Sequence, residues 1–350
     1  MGSTEKEGLF IDRDCNYAAV TQGMEACFTA FDKDCDDNLN LKEFETLCRA
    51  LFRDGKDESY DIDRNHLEQI FQVFDKNNNG LIDREEFVSC WNDWIKIIVK
   101  PVSAIVVVDV QNDFISGSLD VRKCPASQNG EEIVDPINNL LEKIQFEAIF
   151  YSLDWHPIDH VSFIENVHSR PIHESSPISA DNAKVFDTVI FDGDPPIKQR
   201  LWPKHCVQNS WGAELHNNLK VAENAIKIYK GTNPDIDSYS VFWDNMKLSD
   251  TKLDAHLRAN KITDVYICGL AYDVCVGATA ADALSSGYRT ILMEDCCRGV
   301  DLLSMEQTKQ HVLGNHGVVV SSKEVPEMVS GNNRRPELGY QLAMTLKKKK

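Results

Sequence analysis

A buried strand, a tight turn and the start of a helix follow one another in the stretch Val265-Tyr266-Ile267-Cys268-Gly269-Leu270-Ala271-Tyr272-Asp273-Val274-Cys275-Val276. The run Val265–Gly269 is short and almost wholly apolar, which is typical of a strand covered on both faces. Cys275 stands where this strand passes into a helix. The unpaired amides and the dipole of a helix N-terminus favour the thiolate form of such a cysteine and offer donors to an oxyanion. A cysteine considered alone is more often structural.

Five further apolar runs alternate with helix-like stretches after residue 101. Strands are predicted at Ser103–Val108, Ala148–Leu153, Ala225–Tyr229, Thr290–Met293 and Val318–Val320, and helices at Glu131–Gln145, Lys252–Asn260, Val276–Ser286 and Ser304–Leu313. Short buried strands between helices indicate an α/β fold, with a doubly wound, mostly parallel sheet and helices on both faces.

Reactive side chains follow the ends of these strands. Asp109, Asp154, Lys230 and Cys275 each lie at, or just beyond, the carboxyl end of a predicted strand. In open α/β sheets, ligands bind outside those carboxyl ends. Chance would scatter four such residues over both edges of the sheet, so their common position predicts a functional site.

Charge divides the 350 residues unevenly. A chain of this length favours about two domains. Residues 1–100 hold 22 acidic against 12 basic residues, which accounts for −10 of the net charge of −18. A composition step of this kind predicts a domain boundary. The negative charge argues against nucleic acid or an anionic membrane as the main partner, and no apolar run is long enough to span a bilayer.

Two acidic segments, residues 32–43 and 75–86, repeat one pattern. Each places oxygen donors at alternate positions and a glutamate at position 12, as a calcium loop requires, and each is flanked by apolar residues at helical spacing. This part of the chain resembles a pair of EF-hands. The resemblance predicts an all-α domain at residues 1–100, ahead of a catalytic domain at 101–350. The expected Ca²⁺ ligands are Asp32, Asp34, Asp36, Asn38, Glu43, Asp75, Asn77, Asn79, Leu81 and Glu86.

The first loop departs from the pattern at position 6, where Asp37 replaces the usual glycine. That position requires a positive φ, which glycine adopts freely and aspartate only at a cost. Weaker calcium binding, or an EF-hand fold without metal, therefore stays open for this loop. Pro101 ends the helix that follows the second loop and marks the domain junction.

Five separated motifs indicate which family the second domain resembles. They are Asp109–Phe114, Tyr229-Lys230-Gly231, Gly269–Cys275, Ser152-Leu153-Asp154-Trp155-His156-Pro157-Ile158-Asp159-His160 and Trp202-Pro203-Lys204-His205-Cys206. Their order and spacing resemble those of the isochorismatase-like cysteine hydrolases over about residues 102–325, and within that superfamily those of the nicotinamidases. The resemblance implies hydrolysis of nicotinamide to nicotinate and ammonia, in NAD salvage, through a thioester on a cysteine.

The same resemblance assigns roles at the site. Cys275 is implied as the nucleophile, Asp109 as the general base, and Lys230 as the cation that holds both anions. The backbone amides of Ala271 and Cys275 are implied as the oxyanion hole, beside a cis peptide between Leu270 and Ala271.

A divalent metal is implied next to these residues. Asp154, His156 and His205 would bind it, and zinc suits one carboxylate with two imidazoles. The metal would orient the pyridine ring, with Phe114 and Trp202 lining its pocket. We leave His160 outside the ligand set, because such a histidine more often supports ligands than joins them.

Alternatives remain at this point. The chain could be another, metal-independent amidohydrolase of the superfamily, or a calcium sensor that keeps an inactive hydrolase as a scaffold. Calcium could alter activity, or the EF-hands could be a structural or partner-docking module. Residues 163–203 form a surface excursion, which is either a lid over the site or a mobile loop.

Location and assembly are less defined by the sequence. Eleven cysteines, an odd count, and the absence of an apolar core in the first seven residues favour a reducing compartment, the cytoplasm. The Lys347–Lys350 run is most simply a solvated tail, with a nuclear signal as the alternative. No oligomeric state is indicated.

Overall fold

The structure is a computed structural model that describes residues 23–348. The prediction made for the first seven residues, and the last two lysines of the Lys347–Lys350 run, lie outside the described residues. The chain divides into two compact units. One contains Met1–Pro101 together with Glu327–Lys350, and the other is Val102–Pro326.

Helices dominate the first unit. They are α1 (Gly23–Phe31), α2 (Leu41–Leu51), α3 (Arg64–Phe74), α4 (Arg84–Cys90) and α5 (Lys96–Val99), with a π-helical turn at Trp91–Ile95 that joins α4 to α5. Two short strands, β1 (Asn38–Asn40) and β2 (Leu81–Asp83), pair antiparallel with Leu39 opposite Ile82. Each loop therefore ends in a strand that is tied to the other loop, as in an EF-hand pair.

Aromatic rings fill the core of this unit. Trp94 is fully buried, and its ring lies within 6 Å of Phe44, Phe52 and Phe74. Phe28 packs edge-on against Phe87 from the opposite hand. These are the apolar positions that flank the two loops in the sequence, so the hands share one core.

The C-terminal helix belongs to this first unit. Residues 327–350 were expected in the catalytic domain, but the last helix (α12, Pro336–Lys348) buries Tyr340 and Ala343 in the core of the EF-hand unit. The reason is that its apolar face needs a partner, and the partner is separated from it by more than two hundred residues of chain. Local sequence patterns do not reveal such a pairing.

The second unit is built on a six-stranded sheet. Its strands are β3 (Ser103–Val108), β4 (Ala148–Asp154), β7 (Ile226–Lys230), β8 (Asp264–Leu270), β9 (Arg289–Arg298) and β10 (Val318–Val320), in the spatial order β10-β9-β8-β3-β4-β7. Every neighbouring pair is parallel. The α/β prediction is confirmed, as is the EF-hand region ahead of it.

The helices between these strands follow the predicted order. They are α6 (Asn112–Ile115), α7 (Val134–Lys143), α8 (Leu253–Ala259), α9 (Gly277–Ser285) and α10 (Leu302–Gly314). Helix α11 (Val325–Val329) follows β10, at the point in the chain where the two units divide. Strands β3 and β8 are buried along their whole length, as their continuous apolar runs predict. Strand β9 is longer than predicted, because a register irregularity opposite Ile267 and Gly269 lets pairing continue to Arg298.

The excursion at residues 163–203 has a folded structure of its own. Strands β5 (Thr188–Phe191) and β6 (Ile197–Arg200) form an antiparallel hairpin. A small separate core, made by Val161, Val167, Val189, Phe191 and Leu201, lies beneath it. The segment is a packed subdomain that ends at the Trp202–Cys206 motif, and it thereby fixes the position of that motif.

None of the helices between residues 23 and 348 combines the length and the apolar character that a bilayer crossing needs. The order of the strands changes direction beside β3: the chain continues to β4 on one side, and it later returns to β8 on the other. Open sheets bind ligands in the crevice at such a switch point.

Candidate active site

A buried lysine joins three of the predicted residues at this crevice. Lys230 Nζ lies 2.9 Å from Asp109 Oδ2, 2.5 Å from Asp154 Oδ1 and 3.3 Å from Cys275 Sγ. It also donates to the carbonyl of Ser238 at 2.9 Å. Burial opposes the cation, but the two carboxylates keep the pKa of Lys230 well above its ordinary value. The lysine is therefore a fixed positive charge.

The carboxylate of Asp109 is fully buried and held from two sides. Ser152 Oγ donates to Asp109 Oδ1 at 2.6 Å, while Lys230 lies against the other oxygen. Burial raises the pKa of Asp109, and the lysine opposes that rise. A carboxylate with a raised pKa is a better proton acceptor than a solvated one, which suits a general base.

The thiol of Cys275 does not have the low pKa expected from its place at a helix start. Burial raises the pKa of Cys275 well above its ordinary value, although Lys230 opposes this. Because the residue lies in a π-helical turn (Tyr272–Val276) inside a closed site, desolvation outweighs the helix end. Burial therefore favours the thiol form of Cys275, and a neighbouring base is needed to make it a nucleophile.

The turn that carries Cys275 has an unusual backbone. The peptide bond between Leu270 and Ala271 is cis, as the resemblance implied. Gly269, just before it, has a φ of +118°, and a Cβ there would lie 2.0 Å from the carbonyl oxygen of Val108. Only glycine fits where β8 passes this close to β3. The carbonyl of Ala271 accepts the N–H groups of Val274 and Val276, which closes the turn.

Asp154, His156 and His205 form a second cluster beside Lys230. Their ligand atoms lie within 4.8 Å of one another, and all three side chains are buried. Nε2 of His156 and Nε2 of His205 lie 3.5 and 3.7 Å from Asp154 Oδ2. Burial alone would raise the pKa of Asp154, but Lys230 and His156 hold it well below its ordinary value.

Backbone carbonyls orient both histidines. His156 Nδ1 contacts Gly231 O at 2.9 Å, and His205 Nδ1 contacts Pro203 O at 2.7 Å. A carbonyl only accepts, so each Nδ1 carries a hydrogen, and each Nε2 is the ring nitrogen that faces Asp154. One carboxylate and two imidazoles with such backing fit a divalent metal.

His160 lies closer to this cluster than the sequence suggested. Its ring centroid is 4.1 Å from that of His156, and its Nδ1 contacts Ser162 Oγ at 2.7 Å. Burial lowers the pKa of His160 to about 2. Its Nε2 is buried without a hydrogen-bond partner among the described residues. With His156 and Asp237 it forms another group of potential ligand atoms.

Cys275 and Ala271 line a small cleft. The predicted ring-binding residues Phe114 and Trp202 both line it, together with Tyr239. Trp202 Nε1 donates to Tyr239 Oη at 3.2 Å, which fixes the indole against the cleft. Most of the surface that lines the cleft is apolar, and this suits a small flat ring.

Three residues that support the active site were not predicted from the sequence. Ser152 and Gln111 lie inside the quoted motifs but carry no reactive group that would single them out. Gln111 bonds both the N–H and the carbonyl of Asp154, at 2.9 and 2.8 Å, and so fixes that ligand's backbone. Tyr239 lies in an irregular loop after β7, where no periodic pattern pointed to it.

Loop 32–43 gathers its carboxylates as a calcium loop does. Asp32, Asp34 and Asp36 present oxygens within 4.8 Å of one another. Local desolvation and the neighbouring carboxylates raise the pKa of Asp34. Asp37 has the positive φ that its position demands, +64°, and its carboxylate accepts from Arg84 at 2.8 Å. Asn38, with Asp36 bonded to its N–H, and Glu43 complete the predicted set.

Loop 75–86 has the more regular geometry. Gly80 occupies position 6 with a φ of +83°, and its N–H donates to Asp75 at 2.9 Å. Leu81 follows, and its N–H donates to Asn79. Glu86, at position 12, closes the loop by accepting from Asn77 and its neighbour Lys76. Hydrogen bonds within each loop thus hold its predicted oxygen donors in a compact turn.

An open parallel sheet with a buried Asp–Lys–Cys cluster, a carboxylate–histidine cluster and a cleft at its carboxyl edge defines a cysteine hydrolase. The Isochorismatase domain family matches residues 103–324, and the EF-hand domain pair family matches residues 21–90. The chain therefore belongs to the isochorismatase family and carries an EF-hand pair ahead of the family domain.

Individual relatives agree with this assignment. A nicotinamidase of Escherichia coli strain K12 is 39% identical over 204 residues, which are 58% of this chain and 85% of that protein. A solved nicotinamidase–pyrazinamidase of Acinetobacter baumanii superposes with a TM-score of 0.54 at 36% identity, over 64% of this chain and 98% of that one. A yeast nicotinamidase bound to the inhibitor nicotinaldehyde gives 0.53 at 28%, over 63% and 99%.

Proposed function

We propose that this protein is a nicotinamidase, which hydrolyses nicotinamide to nicotinate and ammonia and so serves NAD salvage. One observation carries the proposal: Lys230 Nζ contacts Asp109, Asp154 and Cys275 at once, at the foot of a ring-sized apolar cleft. This ties the nucleophile, the base and the carboxylate–histidine cluster into one unit. The similarity to nicotinamidases of several organisms supports the same substrate.

Acylation begins with proton transfer from Cys275 to Asp109. The thiol is protonated at rest, and the raised pKa of Asp109 makes the carboxylate able to take its proton. Sγ then attacks the carboxamide carbon. The amides of Ala271 and Cys275 bind the oxyanion that forms. Lys230 stays positively charged and compensates the negative charge that passes between Asp109 and Cys275. Asp109 returns the proton to nitrogen, ammonia leaves, and a thioester remains.

Hydrolysis of the thioester reverses these roles. Asp109 takes a proton from water, the resulting hydroxide attacks the acyl carbon, and the oxyanion occupies the same two amides. The C–S bond breaks, Cys275 regains its proton from Asp109, and the carboxylic acid product leaves and ionises to nicotinate in water. Ser152 keeps the Asp109 carboxylate in one orientation through both halves.

Asp154, His156 and His205 are proposed to hold a divalent metal, with zinc as the best candidate for this ligand set. When bound, the metal supplies a Lewis acid that orients and polarises the pyridine ring. The chain prepares the site through the carbonyls of Gly231 and Pro203 and through Gln111, which fix the ligands in place. Phe114 and Trp202 provide the walls against the ring faces.

The two loops of the EF-hand unit are proposed to bind Ca²⁺, loop 75–86 more tightly than loop 32–43. Glycine at position 6 carries no strain in the second loop, whereas Asp37 does in the first. Isothermal titration calorimetry of metal-free protein should show two unequal sites. Glu86→Gln should remove the tighter site and Glu43→Gln the weaker one.

An assay of ammonia release tests the enzymatic proposal. Full-length protein should release ammonia from nicotinamide, should lose this with a strong chelator, and should regain it with Zn²⁺. Activity on carbamoyl or ureido compounds instead, unaffected by the chelator, would favour the other amidohydrolases of the family. Absence of turnover on the whole panel would favour a calcium sensor with an inactive hydrolase.

A cytoplasmic location is proposed on the chemistry of the cysteines. All ten cysteines in the described part of the chain are free thiols, which suits a reducing compartment. Fractionation of cells that express the chain, with an antibody against it, tests this and the nuclear alternative.

A further inference from the structure

Helix α12 occupies a groove in the EF-hand unit. Its buried residues Tyr340 and Ala343 join the same core as the aromatic residues between the hands, and Leu342 and Leu346 pack against that core. Helices that lie in an EF-hand groove with one apolar face are the usual way in which such pairs recognise a target. Here the occupant is a segment of the same chain.

One hydrogen bond and one close approach fix the depth of the helix. Trp94 Nε1 donates to the backbone carbonyl of Gly339 at 2.8 Å, in a fully buried position. The missing side chain of Gly339 allows this approach, because a Cβ there would lie 2.3 Å from Phe52 Cζ. A helix with a larger residue at this position could not lie so close to Phe52. The contact therefore depends on the glycine at position 339.

Polar contacts hold the next turn and the segment before it. The Tyr340 ring stacks on His66 at 4.0 Å, and its hydroxyl donates to Gln69 Oε1 at 2.5 Å. Tyr60 Oη donates to Asn333 Oδ1 at 2.9 Å, and Arg334 N donates to the carbonyl of Arg53 at 2.7 Å. Residues 333–343 thus follow the groove from end to end.

The helices that hold α12 also carry the two ends of loop 75–86. His66 and Gln69 lie on α3, which ends at Phe74, directly before the first ligand, Asp75. Glu86, the last ligand, lies on α4, and Trp94 follows eight residues later on the same helical segment, about 12 Å along it. A cation that draws Asp75 and Glu86 together therefore sets the angle between the two walls of the groove.

We propose that residues 331–348 are a built-in target helix of the EF-hand pair, and that its docking is coupled to Ca²⁺ binding at loop 75–86. The inference rests on the calcium binding proposed above and goes beyond it. Coupling between two sites is reciprocal. Calcium therefore tightens the docked helix, and the docked helix raises the calcium affinity. While α12 is docked, this groove is closed to helices of other proteins.

Full-length protein with three substitutions tests the coupling. Gly339→Ala raises the helix propensity of α12 while it forces a clash with Phe52, so it separates docking from helix formation. Glu86→Gln weakens the loop without touching the groove. Glu337→Gln, on the exposed side of α12, is the matched control. Hydrogen exchange of residues 338–346 with and without Ca²⁺ reports docking, and calorimetry reports calcium affinity.

In the wild-type protein, Ca²⁺ should slow exchange in residues 338–346 about tenfold or more, and Glu86→Gln should abolish that slowing. Gly339→Ala should speed exchange there and weaken calcium binding about tenfold. Glu337→Gln should match the wild type in both measurements. If Gly339→Ala leaves the helix protected, Ala343→Asp, which puts a charge on the face buried in the EF-hand core, repeats the test.

Two results would overturn the inference while leaving calcium binding intact. One is equal exchange of residues 338–346 in calcium-loaded and calcium-free protein, with calorimetry showing bound Ca²⁺. The other is a variant whose helix is released but whose calcium affinity equals that of the wild type. Calorimetry without any binding signal would instead refute the calcium proposal itself, and the coupling with it.

Discussion

At the scale of single residues, the site depends on how two buried carboxylates share one cation. Lys230 lies between Asp109 and Asp154, so removal of the lysine would leave two carboxylates buried without compensation. Burial raises the pKa of Asp109 although Lys230 opposes the rise, whereas Lys230 and His156 together hold the pKa of Asp154 well below its ordinary value. One carboxylate is thereby suited to proton transfer and the other to holding a cation.

Ser152 offers a test of the Asp109 orientation. Ser152→Ala removes the hydroxyl that donates to Asp109 Oδ1 at 2.6 Å, and it leaves the cleft lining untouched. A lost hydrogen bond to a charged group is worth about 1.5 kcal/mol or more, so kcat should fall roughly tenfold or more. KM should stay within about twofold, because binding does not involve this group. Steady-state kinetics on nicotinamide decide; a rise in KM at unchanged kcat would contradict the assignment.

At the scale of elements, the close approach of β8 to β3 at Gly269 restricts the sequence most. Gly269→Ala would place a Cβ 2.0 Å from the carbonyl of Val108 at a φ of +118°. Both the clash and the backbone strain oppose folding, so the free energy of unfolding of the hydrolase should fall by about 3 kcal/mol or more. Thermal denaturation followed by residual activity measures this loss.

Gly314 supplies the control for that substitution. It ends helix α10, and a Cβ there would have no atom of the described chain within 4 Å. Gly314→Ala should change stability by no more than about 1 kcal/mol. Equal losses of stability in the two variants would show that the close approach of β8 to β3 does not require glycine at position 269.

The first calcium loop gives a second test at this scale. Asp37 adopts a φ of +64°, which is strained for a residue other than glycine, but its carboxylate accepts a hydrogen bond from Arg84. Asp37→Ala keeps the strain and loses the contact, whereas Asp37→Gly loses both. Because left-handed backbone costs an L-residue about 1–2 kcal/mol, the glycine variant should bind Ca²⁺ at this loop several times more tightly than the alanine variant. Equal affinities by calorimetry would contradict this.

Local sequence patterns predicted the strands, and the residues at their ends, wherever the pattern lies within one continuous segment. The continuous apolar runs identified β3 and β10 to the residue, and the carboxyl ends of the strands predicted where Asp109 and Lys230 would meet. The β5–β6 hairpin was missed, because its strands are only four residues long and partly exposed. The raised pKa of Cys275 was missed as well, since burial is a property of the finished fold.

At the scale of the whole molecule, the chain order separates two parts of one unit. The EF-hands end near residue 101, and the helix that completes their core begins at Pro336. The predicted division at 100/101 marked the start of the hydrolase but missed the return of the chain. Such pairings over more than two hundred residues depend on shape complementarity, exemplified by Gly339 against Phe52, and no periodicity encodes them.

Whether calcium alters catalysis is also a question at this scale. Comparison of kcat/KM in saturating Ca²⁺ and in a calcium-selective chelator, with Zn²⁺ held constant, distinguishes regulation from a purely structural EF-hand unit. A calcium effect that Glu86→Gln abolishes would establish regulation. Identical values in both conditions would favour the structural alternative.

Ammonia release from nicotinamide tests the central claim most directly. The wild-type protein and Cys35→Ser, which changes an exposed thiol outside the hydrolase unit, should release ammonia at equal rates. Cys275→Ala should release none above background, although it should fold and bind metal as the wild type does. Turnover that survives in Cys275→Ala, or a wild-type protein without turnover in the presence of Zn²⁺, would contradict the account.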